Sequence, residues 1–145
     1  MSQEIESQPA ERFVSTQRIH FDMLDALGML HNAAFFTVFE RARSDFWRAN
    51  NIVLDSALFA DFPYYVIRNE CRYHLPIFGE QEIAVTVGLN ALGRTSATFA
   101  HAVLLHDGQL SAEGQTVIVR VDTETKRPTP WTDEFRELMA VYLNR

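Results

Sequence analysis

The residue best suited to chemistry is Asp25, which lies in a short apolar loop ahead of a stretch with helical periodicity. A carboxylate is ionised at neutral pH, so it can take a proton from water or attack a carbonyl carbon directly. The neighbouring Leu24, Ala26 and Leu27 would exclude part of the water and so favour a role as a base. Spacing alone leaves a second interpretation open, in which Asp25 is a solvated loop carboxylate or a cap.

The helix predicted after this loop starts at Asn32, a residue type that often caps a first turn. The first turn of a helix carries unpaired N–H groups and the positive end of the helix dipole, which together stabilise a negatively charged oxygen. Gly28 lies between the two residues and would let a substrate pass close to the backbone. Acyl transfer at such a site needs neither a metal nor a prosthetic group, and we expect none.

Two elements must position these residues. Residues 13–21 interleave β-prone and polar side chains, which predicts a first strand running into the Asp25 loop. From 32 to 49 the period becomes helical, and one stripe is aromatic and apolar: Phe35, Phe39, Ala42 and Phe46, widened by Phe36 and Trp47. Because this stripe is so wide, we expect the helix to pack against a curved sheet as a core element.

Period-two alternation predicts four further strands, at 65–75, 82–90, 96–106 and 110–122. We expect Tyr65, Ile67, Cys71, Tyr73 and Leu75 to share one face of the first of these, and Val117, Val119 and Val121 to share one face of the last. The pair Asp107-Gly108 predicts a type I′ hairpin turn. Gly114 predicts a bulge or a close approach of another element to the backbone.

A strand, a long helix and then four strands joined by short turns favour an antiparallel sheet. We therefore predict an α+β hotdog fold, in which a five-stranded antiparallel sheet wraps a long central helix. Residues 12–145 would form this single domain, with a final amphipathic helix over about 132–143. Residues 1–11 are polar and acidic and are predicted to form a flexible tail.

The composition excludes several classes of function. The chain has 145 residues, of which 47% are hydrophobic, and a net charge of −6 with its basic residues scattered, so no nucleic acid partner is expected. No apolar run approaches the length of a membrane span, and we expect no membrane association. The single Cys71 fits a structural thiol in a reducing compartment, which favours a cytoplasmic location.

Three segments resemble the 4-hydroxybenzoyl-CoA thioesterase branch of the hotdog superfamily: 21–28 (FDMLDALG), 31–36 (HNAAFF) and 39–43 (FERAR). In that family the corresponding stretch reads approximately D-x-D-x-x-G-x-V-x-N-A-x-Y and then F-E-x-A-R. Residues 68–76 and 121–128 match further parts of the family pattern. The sequence departs from the pattern at four positions, where the family has an acidic residue, a threonine, a polar residue and a tyrosine: Met23, Leu24, Met29 and Phe35.

The resemblance implies a thioesterase that hydrolyses an acyl-CoA or acyl-carrier thioester to a free acid and a thiol. It assigns the catalytic carboxylate to Asp25 and the polarising N–H to Asn32. Arg94 and Ser96 match positions where related thioesterases often hold CoA phosphates, although solvent-facing turn residues are an equal alternative. The family also implies a homodimer or homotetramer with the site at a subunit interface, so that Asp25 of one chain faces Arg94 of another.

Other assignments stay open at this point. Glu40 is a second candidate carboxylate, though we favour a salt bridge between it and Arg41 or Arg43. His31 could bind substrate or orient water, or be an exposed residue at the helix start. The residues His20, Asp22, Asp25 and His31 fit no recognised metal-ligand spacing.

Phe35 belongs to the core first and could also line an acyl pocket. At the level of function, the alternative is a non-catalytic acyl-CoA-binding or regulatory hotdog module. Hydration or dehydration of a thioester would usually need a histidine paired with an acidic residue, and no such motif is evident.

Overall fold

A computed structural model describes residues 10–52 and 63–144. Its centre is one antiparallel sheet of five strands: β1 (Phe13–Ile19), β2 (Tyr64–Tyr73), β3 (Gln81–Leu92), β4 (Ser96–Leu104) and β5 (Leu110–Arg120). The strand order is β1-β3-β4-β5-β2, so β1 and β2 are the two edges. Most of the predicted flexible tail lies outside the described residues, as does part of the loop ahead of β2.

The long helix α1 (Ala34–Ala49) lies against the sheet and supplies the centre of the core. Its predicted aromatic stripe is confirmed, because Phe39, Phe46 and Trp47 are almost completely buried. A second helix, α2 (Asp133–Ala140), follows the sheet, and the Thr132 hydroxyl caps it by accepting from Phe135 N–H at 3.1 Å. Neither helix in the described part of the chain is long and apolar enough to cross a membrane.

Gly114 explains how closely α1 approaches the sheet. A Cβ atom on Gly114 would lie 2.5 Å from the Phe39 ring and would also collide with the carbonyl oxygen of Glu70. The predicted close approach at this glycine is therefore confirmed, and the occupant of the space is a core aromatic residue of α1. The helix fits into the curved sheet because β5 carries no side chain at this point.

The predicted face of β2 is wrong. The register between β2 and β5 shifts between Val66 and Arg68, which leaves Ile67 in a bulge. The bulge inverts the alternation, so Tyr65 lies on the opposite face of the sheet from Cys71 and Tyr73. Most of β2 is also exposed, because it is an edge strand with no neighbour on its outer side among the described residues.

Near the end of β5, side chains on both faces of the sheet are buried: Ile118 on one face, and Val119 and Val121 on the other. Thr116 is also completely buried, whereas Val117 is only half-buried. The predicted shared face of the valines did not indicate the burial of Thr116, since a threonine is an unusual core residue. Thr116 is tolerated there because its hydroxyl accepts a hydrogen bond from Arg43 at 2.8 Å and donates one to Asn69 at 2.7 Å.

The predicted hairpin between β4 and β5 is present, but its turn is not type I′. A type I′ turn needs positive φ at both central residues, and only Gly108, at φ 87°, has it here. Leu105 accepts from Gly108 N–H at 2.9 Å and donates to Gln109 at 2.9 Å, which is the pattern of a three-residue loop. The architecture as a whole, a long helix wrapped by a five-stranded antiparallel sheet, confirms the predicted hotdog fold.

Candidate active site

The Asp25 loop is a tight turn fixed by its own backbone. Asp25 N–H donates to the Met29 carbonyl at 2.8 Å, and Gly28 N–H donates to the Asp25 carbonyl at 3.0 Å. Gly28 has φ 75°, a conformation that a residue with a Cβ atom rarely adopts. Its carbonyl accepts from Gly79 N–H at 2.9 Å, which ties the loop to the segment before β3. Gly28 therefore shapes the loop that presents Asp25.

The two oxygens of the Asp25 carboxylate have different surroundings. Oδ1 accepts from Leu27 N–H at 2.9 Å and from Met29 N–H at 3.1 Å, so the side chain is held in one orientation. Oδ2 has no hydrogen-bond partner within the described residues. Asp25 is half-buried, between the bulk solvent and the core. One oxygen thus anchors the side chain and the other is available to a water molecule or a substrate.

Asp25 lines a cavity of about 360 Å³, most of whose wall is apolar. The lining residues come from the loop, the start of α1 and the end of β2: Asp25, Met29, Leu30, Asn32, Phe35, Tyr73, His74, Leu75 and Pro76. The structure therefore brings together three of the predicted site residues, Asp25, Asn32 and Phe35. Phe35 is buried, so it contributes to the core and to the wall of the cavity at once.

The start of α1 differs from the prediction, because the helix begins at Ala34 and Asn32 does not cap it. The N-cap is Ala33, which makes no side-chain capping bond, and its own N–H donates to the His31 ring Nδ1 at 3.1 Å. The His31 carbonyl also accepts from Ala34 N–H at 2.8 Å. Asn32 N–H makes no hydrogen bond within the described part of the chain, and the residue is exposed. It is a free backbone donor at the mouth of the cavity.

Tyr73 also belongs to this site, which its position on the predicted strand at 65–75 did not indicate. Its phenol donates to the Asn32 carbonyl at 2.8 Å, and its ring packs edge-on against Phe35 with centroids 5.1 Å apart. Burial raises the pKa of Tyr73, with nearby Cys71 adding to the effect, so the phenol stays protonated and remains a donor. Burial likewise raises the pKa of the Cys71 thiol, which disfavours the reactive thiolate.

Arg94 and Ser96 do not lie near Asp25 in the same chain. Arg94 lies in the turn between β3 and β4, and Ser96 is the first residue of β4, at the end of the sheet opposite to the Asp25 loop. The Arg94 side chain is exposed, and its carbonyl accepts from Trp131 N–H at 3.0 Å. Among the described residues, no three of His, Cys, Asp and Glu lie close enough to share a metal ion.

Glu40 is exposed on α1 and forms no ion pair with any described residue. Arg43, one of its two expected partners, is buried instead. Arg43 Nη1 donates to Thr116 at 2.8 Å and lies 3.3 Å from His101 Nε2. Burial and the Arg43 charge lower the pKa of His101 to about 3, so this imidazole is neutral. His101 Nδ1 lies 3.2 Å from the Thr86 carbonyl, which fits an Nδ1–H donor and an Nε2 acceptor.

Known proteins resemble this chain in sequence or in fold. Acyl-CoA thioester hydrolase YbgC of Escherichia coli is 23% identical over 112 residues, which cover 77% of this chain and 83% of the relative. The DHNA-CoA thioesterase of Staphylococcus aureus superposes with a TM-score of 0.81 at 16% identity, over 89% of both chains. Another Staphylococcus aureus protein, solved in complex with CoA, has a TM-score of 0.83 at 15% identity, over 94% of this chain and 86% of that one.

The two solved structures share the fold with this chain. The family model described as the thioesterase-like superfamily matches residues 19–139, which include the Asp25 loop, α1 and four of the five strands in full. By this match the chain belongs to the thioesterase-like superfamily.

Proposed function

We propose that this protein hydrolyses an acyl-CoA or acyl-carrier thioester to a free acid and a thiol. The observation that carries the proposal is that a carboxylate and an unpaired backbone donor, Asp25 and Asn32, line the same apolar cavity. Membership of the thioesterase-like superfamily supports this chemistry. The similarity to YbgC, named as an acyl-CoA thioester hydrolase, and to a fold solved with bound CoA supports an acyl-CoA substrate.

Asp25 Oδ2 is the reactive atom in either of two routes. As a base, it takes a proton from a water molecule while the water oxygen bonds to the thioester carbon. The resulting oxyanion accepts a hydrogen bond from Asn32 N–H, and the C–S bond then breaks. The leaving thiolate takes the proton held by Asp25, which restores the carboxylate.

As a nucleophile, Oδ2 itself bonds to the thioester carbon, the thiolate leaves, and water hydrolyses the mixed anhydride. A single turnover in ¹⁸O-labelled water separates the routes. The base route puts the label into the released acid. The nucleophilic route, with water attacking the Asp25 carbonyl, puts it into the enzyme first.

The cavity suits an aromatic or medium-length acyl group. Its volume of about 360 Å³ is at the small end of ligand pockets, and its wall includes Phe35, Leu30 and Leu75. Phe35 stands where the resembling family has a tyrosine, so at this position of the wall no hydroxyl is present to bond a polar ring substituent. We therefore expect unsubstituted benzoyl or aliphatic acyl groups to be cleaved faster than hydroxylated aromatic ones.

We further propose that two chains pair through the exposed edge β2 to form a homodimer, alone or within a homotetramer. An antiparallel pairing of β2 with its own copy reverses the direction of the second chain. The end of the sheet that carries Arg94 and Ser96 is then set beside the Asp25 loop of the other chain. In that position Arg94 and Ser96 can hold the CoA phosphates.

The test is hydrolysis of a panel of acyl-CoAs with detection of the free thiol, comparing the wild type with Asp25→Asn. The amide oxygen of asparagine can still accept from Leu27 and Met29, so the substitution removes the charge and preserves the loop. We expect the rate to fall at least about 100-fold. Asp22→Asn, three residues away and exposed, is the matched control and should keep the wild-type rate.

Two results would contradict this assignment. In the first, the wild type releases no thiol from any acyl-CoA or acyl-carrier thioester. In the second, Asp25→Asn is as active as the wild type.

A non-catalytic acyl-CoA-binding module is the second candidate. It is favoured by the bonds that Asp25 Oδ1 makes within its own loop, since a structural carboxylate would make the same bonds. Met23 and Leu24, where the family has an acidic residue and a threonine, pack against the core. Calorimetry with a nonhydrolysable acyl-CoA would show binding by a protein that turns over no thioester.

A further inference from the structure

The backbone around Asn32 is held on both sides, while its own N–H stays free. The peptide group before Asn32 is fixed because the His31 carbonyl accepts from Ala34 N–H at 2.8 Å. The Asn32 carbonyl takes no part in the α1 ladder, since Phe36 N–H donates to Ala33 instead. Its partner is the Tyr73 phenol at 2.8 Å. The Tyr73 side chain, which belongs to the sheet, thus bonds to the peptide group that follows Asn32.

We propose that Tyr73 is a positioning residue, which fixes the backbone of Asn32 so that its N–H points at the oxygen of the reacting thioester. The inference rests on the proposed function, in which Asn32 N–H stabilises the oxyanion. A donor aimed in advance needs no reorganisation when negative charge develops, which is why the orientation of an oxyanion donor affects the rate.

Tyr73 is well placed for this role because it is itself anchored. It pairs with Ala112 of β5 in the sheet, so its backbone belongs to a regular element. Its ring packs edge-on against the buried Phe35 at 5.1 Å, which limits the positions open to the phenol oxygen. The phenol therefore fixes the position of Asn32, just before α1, relative to the sheet.

Removal of the hydroxyl alone isolates this role. Tyr73→Phe keeps the ring that packs on Phe35 and walls the cavity, and deletes the bond to the Asn32 carbonyl together with the interaction between the phenol and the Cys71 side chain. Tyr142→Phe is a matched control, because it also keeps an aromatic ring and removes a phenol bond, the one to Asn50 at 3.4 Å, but lies outside both the cavity and β2.

We expect Tyr73→Phe to lower kcat for an acyl-CoA roughly 10- to 100-fold, with KM changed less than about twofold. The melting temperature and the shape of the pH–rate profile should match those of the wild type. Tyr142→Phe should keep the wild-type kcat. Independently of turnover, the ¹⁵N–¹H resonance of Asn32 should shift in Tyr73→Phe, since the next peptide group loses the partner of its carbonyl and keeps only the bond from Ala33 N–H to His31.

Several outcomes would overturn the inference. If Tyr73→Phe keeps the wild-type kcat while Asp25→Asn is inactive, the role of Tyr73 is wrong and the proposed function stands. A raised KM with an unchanged kcat would instead make Tyr73 a substrate contact. If Asp25→Asn is fully active, the proposed function fails, and an unchanged Asn32 resonance in Tyr73→Phe then also refutes the structural part of the inference.

Discussion

Arg43 is a buried cation, and no carboxylate bonds to it among the described residues. Its Nη1 atom bonds to Thr116 and His101, and its Nε atom has no partner in the described part of the chain. Burial lowers the pKa of Arg43, because it removes the charged guanidinium from water. The ring of Phe39 stacks on His101 with centroids 4.8 Å apart. A neutral histidine fits this place because it can accept from the guanidinium without adding a second positive charge.

His101 should make the stability of the fold depend on pH. Its pKa is about 3 in the folded protein against an ordinary value of 6.5, so between these values the unfolded chain binds one more proton than the folded chain. The free energy of unfolding should therefore fall as pH drops from 6.5 towards 3, by up to about 1.4 kcal/mol per pH unit from this group. Above pH 6.5 the contribution of His101 is constant.

His101→Gln tests this, because glutamine can occupy similar hydrogen bonds but does not titrate. Urea unfolding at several pH values between 4 and 7 should give a shallower slope of stability against pH for this variant than for the wild type. His106→Gln removes an exposed histidine in the turn that follows the same strand and should keep the wild-type slope. Equal slopes for wild type and His101→Gln would contradict the prediction.

At the scale of elements, the contact between α1 and β5 depends on the missing side chain of Gly114. Gly114→Ala would force a Cβ atom against the Phe39 ring and the Glu70 carbonyl, and neither a packed ring nor a strand backbone can move away easily. We expect a loss of about 2–3 kcal/mol in the free energy of unfolding, measured by chemical denaturation.

Gly93→Ala is the matched control for this substitution. A Cβ atom on Gly93 would meet the Ser96 hydroxyl, which can rotate, so we expect a loss below about 1 kcal/mol. Similar losses for the two variants would show that the fit of Phe39 into the sheet does not limit stability.

The elements also show which parts of the structure can be predicted from the sequence. The strands and α1 were found because alternation and helical period reflect which side chains are buried. The face of β2 was wrong because a bulge at Ile67 inverts its alternation, and the burial of the hydrogen-bonded Thr116 on β5 was not predicted. Neither a bulge nor a satisfied core hydroxyl leaves a pattern in a single sequence.

The residues of the candidate site likewise divide into those that the sequence predicts and one that it does not. Asp25, Asn32 and Phe35 were predicted together because they belong to one continuous segment, whose local turn brings them to one cavity. Tyr73 comes from β2, about 40 residues further along the chain, and its approach depends on the register of that strand. A contact between distant segments can be predicted only if the register of the strand is known. The bulge in β2 made that register unpredictable from the sequence.

At the scale of the whole molecule, the two edges of the sheet differ. On β1 the exposed large apolar residue is Val14 alone, whereas β2 exposes four: Tyr65, Val66, Ile67 and Tyr73. An edge strand with free backbone groups and exposed apolar side chains pairs readily with another strand. The asymmetry makes β2 the edge where a second copy of the chain fits best.

Ile67→Lys should therefore separate the chains. Ile67 is 62% exposed, so the substitution removes little from the core and places a charge at the proposed contact. We expect sedimentation velocity to show monomers, and acyl-CoA hydrolysis to be lost because Arg94 of a second chain no longer reaches the Asp25 loop. Val14→Lys, a 53% exposed residue on the opposite edge, should leave both assembly and activity unchanged. A monomeric but fully active Ile67→Lys would show that each chain holds a complete site.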